Sequence, residues 1–392
     1  MEIKEICWEA ELDLNSVSSS VQEALYTKKL FRYQFKNADS PVNILEKTIC
    51  SYVNSSFALG VSSATNAIFL ALKASGVNSN SKVLIPAFTF TAVPSAVVQC
   101  GAEPVLIDIT EGYVIDLVDL EAKIISSEAK YLLLSHMRGH LCDMDEVVRI
   151  CKKHKIILIE DSAHALGVTW KGKHAGTFGI AGVYSLQSYK IINAGEGGVL
   201  VTNDPDIYWK SVFMSGSYEN NYLLHSSKDQ QIAKLYKNQL PVFNVRMNNL
   251  TAALAIPQVN NIESTITKVN KNYDRIVENL KEDILITFNN SSANIRPVRD
   301  SAQMRINLDE SSRDRLKEEL NRSGIPISYF GGINNSNARL YQNWKFINTS
   351  SIKLPNTRKN LSKVFDLRLP LHFSTKNIDI VSNTFLKVLK EL

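Results

Sequence analysis

Short apolar runs separated by helical stripes set the pattern of the first half of the chain. Phe57-Ala-Leu-Gly-Val61, Lys82-Val-Leu-Ile-Pro86, Glu103-Pro-Val-Leu-Ile-Asp-Ile109, Lys130-Tyr-Leu-Leu-Leu-Ser-His136 and Lys155-Ile-Ile-Leu-Ile-Glu-Asp161 are apolar with no alternation. Strands of that kind are buried on both faces. Between them lie helical patterns: the stripe Val42, Ile44, Leu45, Ile49, Val53, the run from Asn66 to a stop at Gly76, Thr91 to Gln99, and Asp143 to Lys153. Strands alternating with helices predict an α/β fold built on a mainly parallel sheet covered by helices. Beyond Asn203 the pattern turns helical, over 205–216, 248–261 and an amphipathic stretch to about 282. Residues 284–392 predict a smaller α+β unit, with strands near 303–308 and 326–330, a charged helix near 310–322 and a closing helix from Asn377. The expected division is 1–262 and 263–392, with a helix running across the boundary.

Composition narrows the class. The chain has 392 residues, 44% hydrophobic and 21% charged, which suits a globular protein with a large and a small domain. A net charge of +5 without a Lys/Arg run interleaved with aromatics disfavours nucleic acid as a partner. The start, Met1-Glu-Ile-Lys-Glu-Ile, has no basic region leading into an apolar one, and no long apolar run follows. No export signal and no membrane span are expected. The five cysteines, 7, 50, 100, 142 and 151, are odd in number and scattered, as in a protein with reduced thiols in the cytoplasm.

The candidate chemistry gathers at Tyr184-Ser-Leu-Gln-Ser-Tyr-Lys190-Ile-Ile-Asn-Ala-Gly195-Glu-Gly-Gly198. A lysine between two apolar strands is costly to keep charged, and a neutral lysine is what Schiff-base chemistry needs. His136, Asp161 and the 185–190 loop all fall at carboxyl ends of strands, where open α/β sheets bind ligands. Ser63-Ala64-Thr65 opens a helix and reads either as an ordinary N-cap or as a phosphate site. A nicotinamide site is disfavoured, because Gly195-Glu-Gly-Gly198 lacks the Gly-x-Gly-x-x-Gly spacing and precedes a strand. A metal site is disfavoured too, since His136 and His140 have no obvious third ligand.

Six colinear motifs resemble the DegT/DnrJ/EryC1/StrS family of pyridoxal-phosphate-dependent sugar aminotransferases: Ser63-Ala-Thr65, Pro86-Ala-Phe-Thr-Phe90, Glu160-Asp-Ser-Ala-His-Ala-Leu-Gly167, Ser185 with Lys190, Gly195-Glu-Gly-Gly198 and Asn244-Val-Arg-Met247. Weaker similarity continues around Leu367-Arg-Leu-Pro-Leu371. The resemblance implies the aspartate-aminotransferase-like fold (PLP transferase fold type I) and pyridoxal 5'-phosphate as cofactor. It implies that Lys190 links to the cofactor and moves the substrate proton, and that Asp161 faces the pyridine nitrogen. Phe90 would stack on the ring, and His164 would lie beside its hydroxyl. Ser63, Ala64, Thr65 and Ser185 would hold the phosphate, with Asn244 reaching in from a second subunit of a homodimer. The implied partners are a keto-sugar or keto acid and an amino donor, glutamate first. Lys190 argues against the dehydratase branch, which has histidine there, and the absence of cysteine after Cys151 argues against a desulfurase. An enzyme acting on a non-sugar keto or amino acid stays open. Arg32, Tyr33, His136, Arg138 and Tyr329, in the 329–334 loop, are further expected substrate contacts. Arg138 contacts an acidic substrate or braces its loop through Asp143 or Asp145.

Overall fold

The apolar runs assemble into one seven-stranded sheet, in the order Phe57–Val61, Gly198–Thr202, Ala181–Ser185, Ile157–Asp161, Tyr131–Ser135, Lys82–Pro86, Glu103–Ile107. The computed structural model describes residues 3–332, 335–349 and 352–392. Gly198–Thr202 runs antiparallel to both of its neighbours, and the other pairings are parallel. Successive residues point to opposite faces, so the unbroken apolar runs feed two cores at once. Leu132 and Leu134 pack on one side with Leu84 and Val147, while Leu133 packs on the other with Ile85, Ile159 and Ile68.

The second unit is a four-stranded antiparallel sheet, in the order Ile286–Phe288, Ser301–Ile306, Val364–Arg368, Ile327–Tyr329. It has its own core, in which Met304, Phe365 and Leu367 meet Leu316 and Leu320 of the helix Glu310–Arg322 and Phe385 of the helix Thr375–Lys390. The helix Ile262–Leu280 belongs to both cores. Ile262, Ile266 and Val269 pack with the main sheet, and Ile276 and Leu280 pack with the small one.

Several elements escaped the sequence pattern, among them the helices Leu117–Ser127 and Pro355–Leu361 and the two that follow. Helix Leu14–Tyr26 buries only Val17 and Ala24, and its serines blur the stripe. Strand Val364–Arg368 carries Asp366 and Arg368 within a short apolar run. Both side chains line the cleft described below, and the two charges weaken the hydrophobic signal there.

Candidate active site

The carboxyl ends of the parallel strands place the candidate residues side by side. Ser135 and Asp161 are cross-strand partners, as are Asp161 and Val183, two residues short of Ser185. The chain alternates faces at Glu160 and Asp161. The fully buried Glu160 accepts the N–H groups of Gly176 (2.8 Å), Phe178 (2.6 Å) and Gly179 (2.8 Å), together with His136 Nε2 (2.9 Å). Asp161 instead lines a cleft of about 560 Å³. Its Oδ2 accepts the Ser135 hydroxyl (2.7 Å), which itself accepts the Thr89 hydroxyl (2.8 Å), and its Oδ1 accepts Ala163 N (3.1 Å). The chain of donors fixes the carboxylate and leaves lone pairs free toward the cleft.

Lys190 enters from the connection between Ser185 and Gly198. The loop is closed by Leu186 N to Gly197 O (3.0 Å), Ala194 N to Leu186 O (2.9 Å) and Lys190 N to Gln187 O (2.8 Å). Gly195 sits at φ +77°, a turn position suited to glycine. Gln258 clamps the loop from the helix Asn249–Asn260, accepting Asn193 N (2.9 Å) and donating to Asn193 O (2.7 Å). Lys190 Nζ lies 2.7 Å from His164 Nε2. Burial brings the lysine down to about 7, opposed by Asp300 and aided by Arg138. Burial, with Lys190 next, holds His164 far below its ordinary value. His164 is therefore neutral near pH 7, and Lys190 gives up its proton far more readily than an ordinary lysine, which makes it a competent nucleophile.

The opposite end of the cleft is a helix start. Ser63 caps the helix Ala64–Ala74 by accepting Asn66 N (3.2 Å), and Ser63, Ala64, Thr65 and Ser185 all line the cleft. The first N–H groups of a helix have no partner within it and carry the positive end of its dipole, which favours phosphate. Strand Gly198–Thr202 presses directly on this start. A Cβ at position 198 would come within 2.4 Å of Ala64 N and 2.5 Å of the Ser63 carbonyl carbon. Gly198→Ala should therefore shift the helix start, costing about 1–3 kcal/mol as overpacking and weakening cofactor retention. Thermal unfolding and absorbance titration with pyridoxal phosphate measure the two effects. An unchanged affinity would show that the helix start does not hold the phosphate.

Phe90 also lines the cleft and is 44% exposed, an unusual setting for a phenylalanine unless something flat covers it. Four expected contacts lie elsewhere. Arg32 is buried against Glu46 (2.9 and 3.1 Å) and donates to His225 Nδ1 (3.2 Å), while the Tyr33 hydroxyl meets His225 Nε2 (2.7 Å). Glu46 also accepts Gly60 N (2.8 Å), so this pair fastens the N-terminal segment to the sheet edge. His136 is committed to Glu160. Tyr329 stacks on Phe365 at 4.6 Å and donates to Ser362 O (2.8 Å), while its neighbour Ser328 lines the cleft. Positions 333–334 of its loop lie outside the described residues. Asn244, at φ +58°, follows a different course: its segment runs beside the helix start through Ser62 N to Val245 O (2.8 Å), without lining the cleft of its own subunit.

Arg138 does line the cleft, but neither expected acid braces it. Asp143 caps a helix and Asp145 pairs with Lys171, whereas Arg138 Nη2 donates to Asp366 Oδ2 (2.5 Å). Arg339, Asp366 and Arg368 line the same cleft and were not foreseen. The one sequence signal was the pair of charges set within the apolar run Val364–Leu369.

A model of the DegT/DnrJ/EryC1/StrS aminotransferase family matches residues 20–386. The chain belongs to this family. The DegT/DnrJ/EryC1/StrS proteins are pyridoxal-phosphate-dependent. The GDP-perosamine synthase of Escherichia coli O157:H7 is 30% identical over 262 residues, covering 64% of this chain and 69% of that one. The Caulobacter vibrioides GDP-perosamine synthase is 32% identical over 219 residues, little more than half of each chain (56% and 56%). Among solved structures, 3-amino-5-hydroxybenzoic acid synthase superposes with a TM-score of 0.84 at 22% identity, over 99% of this chain and 100% of that one. A Streptococcus pneumoniae protein solved in its PLP form gives 0.82 at 21% identity, over 98% and 99%. These likenesses establish the fold as that of the pyridoxal-phosphate aminotransferases.

Proposed function

We propose that the protein is a pyridoxal-phosphate-dependent sugar aminotransferase. It moves an amino group from an amino acid, glutamate first, to a keto-sugar that is either nucleotide-linked or a free sugar acid. The observation that carries this is the buried Lys190, 2.7 Å from His164 Nε2, in one cleft with the fixed carboxylate of Asp161. The cleft fits the cofactor, since a helix start for the phosphate, the half-exposed Phe90, the carboxylate of Asp161 and a lysine of lowered basicity all line it. When bound, the pyridoxal ring supplies an electron sink for the carbanion left at the substrate carbon.

The chain's own residues do the rest. Asp161 holds a proton at the ring nitrogen. Lys190 Nζ would take the proton from the substrate carbon that bears nitrogen and deliver it to the C4′ carbon of the cofactor, as a base with a pKa close to neutrality can do. Ser63, Ala64, Thr65 and Ser185 hold the phosphate. Asn244, which does not line the cleft of its own subunit, is assigned to the phosphate site of a second subunit in a homodimer. The names of the perosamine synthases support a sugar acceptor. The five unpaired cysteines, with no helix among the described residues long and apolar enough to cross a membrane, support a cytoplasmic setting.

Incubating the cofactor-loaded protein with glutamate tests the reading. One 2-oxoglutarate should be released per site as the cofactor passes to its amine form, and a keto-sugar should restore the starting spectrum. Protein that holds the cofactor but releases no keto acid from any amino acid would overturn it.

A further inference from the structure

Three guanidinium groups meet in the cleft that holds Lys190: Arg138 after the strand Tyr131–Ser135, Arg339, and Arg368 at the end of the strand Val364–Arg368. The acids lining the same cleft are Asp161, Glu196 and Asp366. Asp161 is held by Ser135 and Ala163, and Glu196 lies exposed in the glycine turn. Asp366 is spent on Arg138 and on Gln303 Nε2 (2.7 Å). Among the described residues, no ion pair reaches Arg339 or Arg368. Arg339 only approaches Asn337 Oδ1 (3.4 Å), and Arg368 donates to the Tyr189 carbonyl (2.5 Å). Buried N–H groups are left without an acceptor at Arg138 Nε and Nη1, Arg339 Nε and Arg368 Nε.

A structural arginine in this protein looks different. Arg32 is more deeply buried, yet Glu46 meets its fork with both oxygens and only its Nε lacks an acceptor. Asp300 offsets part of the charge at Arg138 and Arg368, and the cations left without an ion-pair partner in this half-buried cleft work against folding. Burial, reinforced by Arg138, lowers Arg339 to about 10. The cluster is complete only when an anion enters.

We propose that Arg138, Arg339 and Arg368 form a subsite for a carboxylate of the substrate, adjacent to the reacting carbon. The proposal rests on the aminotransferase reading and names the acidic group that reading leaves open. A carboxylate matches the planar guanidinium fork. Arg368 also lies 4.5 Å over the ring of Tyr189, the residue preceding Lys190. An anion held there is within a few atoms of the reacting centre, whereas the diphosphate of a nucleotide-sugar is separated from it by the sugar ring. The carboxylate belongs to the amino donor, to the keto acceptor, or to both, since one cleft serves the two half-reactions.

Calorimetric titration of the cofactor-loaded enzyme with glutarate, an unreactive dicarboxylate, tests the subsite without turnover. Wild type should bind glutarate and ignore the neutral diamide. Arg339→Gln and Arg368→Gln should each weaken glutarate at least about tenfold, as the loss of a charged hydrogen bond implies, while melting within a few degrees of wild type. Arg368→Lys should recover binding only in part. Half-reaction rates then locate the source. Loss confined to the glutamate half-reaction assigns the carboxylate to the donor, loss confined to the acceptor half-reaction makes the acceptor a keto acid, and loss in both gives it to both. Equal glutarate affinity in wild type and both glutamine variants overturns the proposal, as does pyrophosphate binding more tightly than glutarate through the same arginines. Glutarate binding that depends on the arginines in a protein without either half-reaction would sink the aminotransferase reading and leave the subsite standing.

Discussion

Lys190→Ala should retain the fold and bind pyridoxal phosphate, yet lose turnover by at least about a thousandfold, equivalent to some 4 kcal/mol of barrier at 1.36 kcal/mol per tenfold. The side chain is the nucleophile and base proposed above, it lies 2.7 Å from His164 Nε2, and among the described residues no second lysine lines the cleft. Borohydride treatment of the loaded wild-type protein should leave the cofactor bonded to Lys190 in the peptide map; a label on another lysine would reject the assignment. The pH dependence has a definite sign. Burial lowers the folded-state value from 10.5 to about 7, so between those values the unfolded chain binds more protons than the folded one, and stability rises with pH. The cost of the buried lysine is present in full below about 7 and fades toward 10.5. Cofactor-free Lys190→Met should lack this component, so its melting temperature should exceed that of wild type most clearly at or below pH 7. Parallel melting curves from pH 6 to 10 would mean the lysine is not desolvated.

Where hydrophobic pattern and chemistry coincide, the sequence was sufficient. The five apolar runs from Phe57 to Asp161 all became sheet strands, four of them paired in parallel and Phe57–Val61 paired antiparallel with Gly198–Thr202 at the sheet edge. Asp161, Lys190, His164, Phe90 and the Ser63–Thr65 turn lie together because each sits at the carboxyl end of a strand or at the helix start facing it. Long-range polar pairing was not legible. Nothing local to Arg32 announces Glu46 fourteen residues on, joined by His225 from far along the chain. His136 likewise looks free in a loop until the neighbouring strand sets Glu160 against it. Arg138 and Asp366 are separated by 228 positions. The apolar register places a side chain on a face, and its polar partner depends on which elements fold against that face.

Asp161→Asn should lower turnover by about a hundredfold to ten-thousandfold, or some 2.7–5.5 kcal/mol at 1.36 kcal/mol per tenfold, with little change in melting temperature. The side chain keeps its size, but two things change. The negative charge that holds a proton at the ring nitrogen disappears, and with it the electron sink. The direction of the hydrogen-bond chain also matters: Thr89 donates to Ser135, so the Ser135 proton has Asp161 Oδ2 as its acceptor (2.8 and 2.7 Å). An asparagine that turns its amide NH₂ toward Ser135 strands that proton. One that turns its oxygen toward Ser135 sets an NH₂ against Ala163 N. Either orientation leaves a donor facing a donor, a cost of about 1–3 kcal/mol if the group stays buried, so the fixed geometry is lost along with the charge. Ser135→Ala separates the two contributions. It keeps the carboxylate but removes its bond from Ser135 and the acceptor of the Thr89 hydroxyl, and should cost only about tenfold in turnover. Equal losses in Asp161→Asn and Ser135→Ala would show that orientation and not charge is the essential contribution of this residue. Asp161→Asn turning over within tenfold of wild type would remove Asp161 from the ring nitrogen altogether.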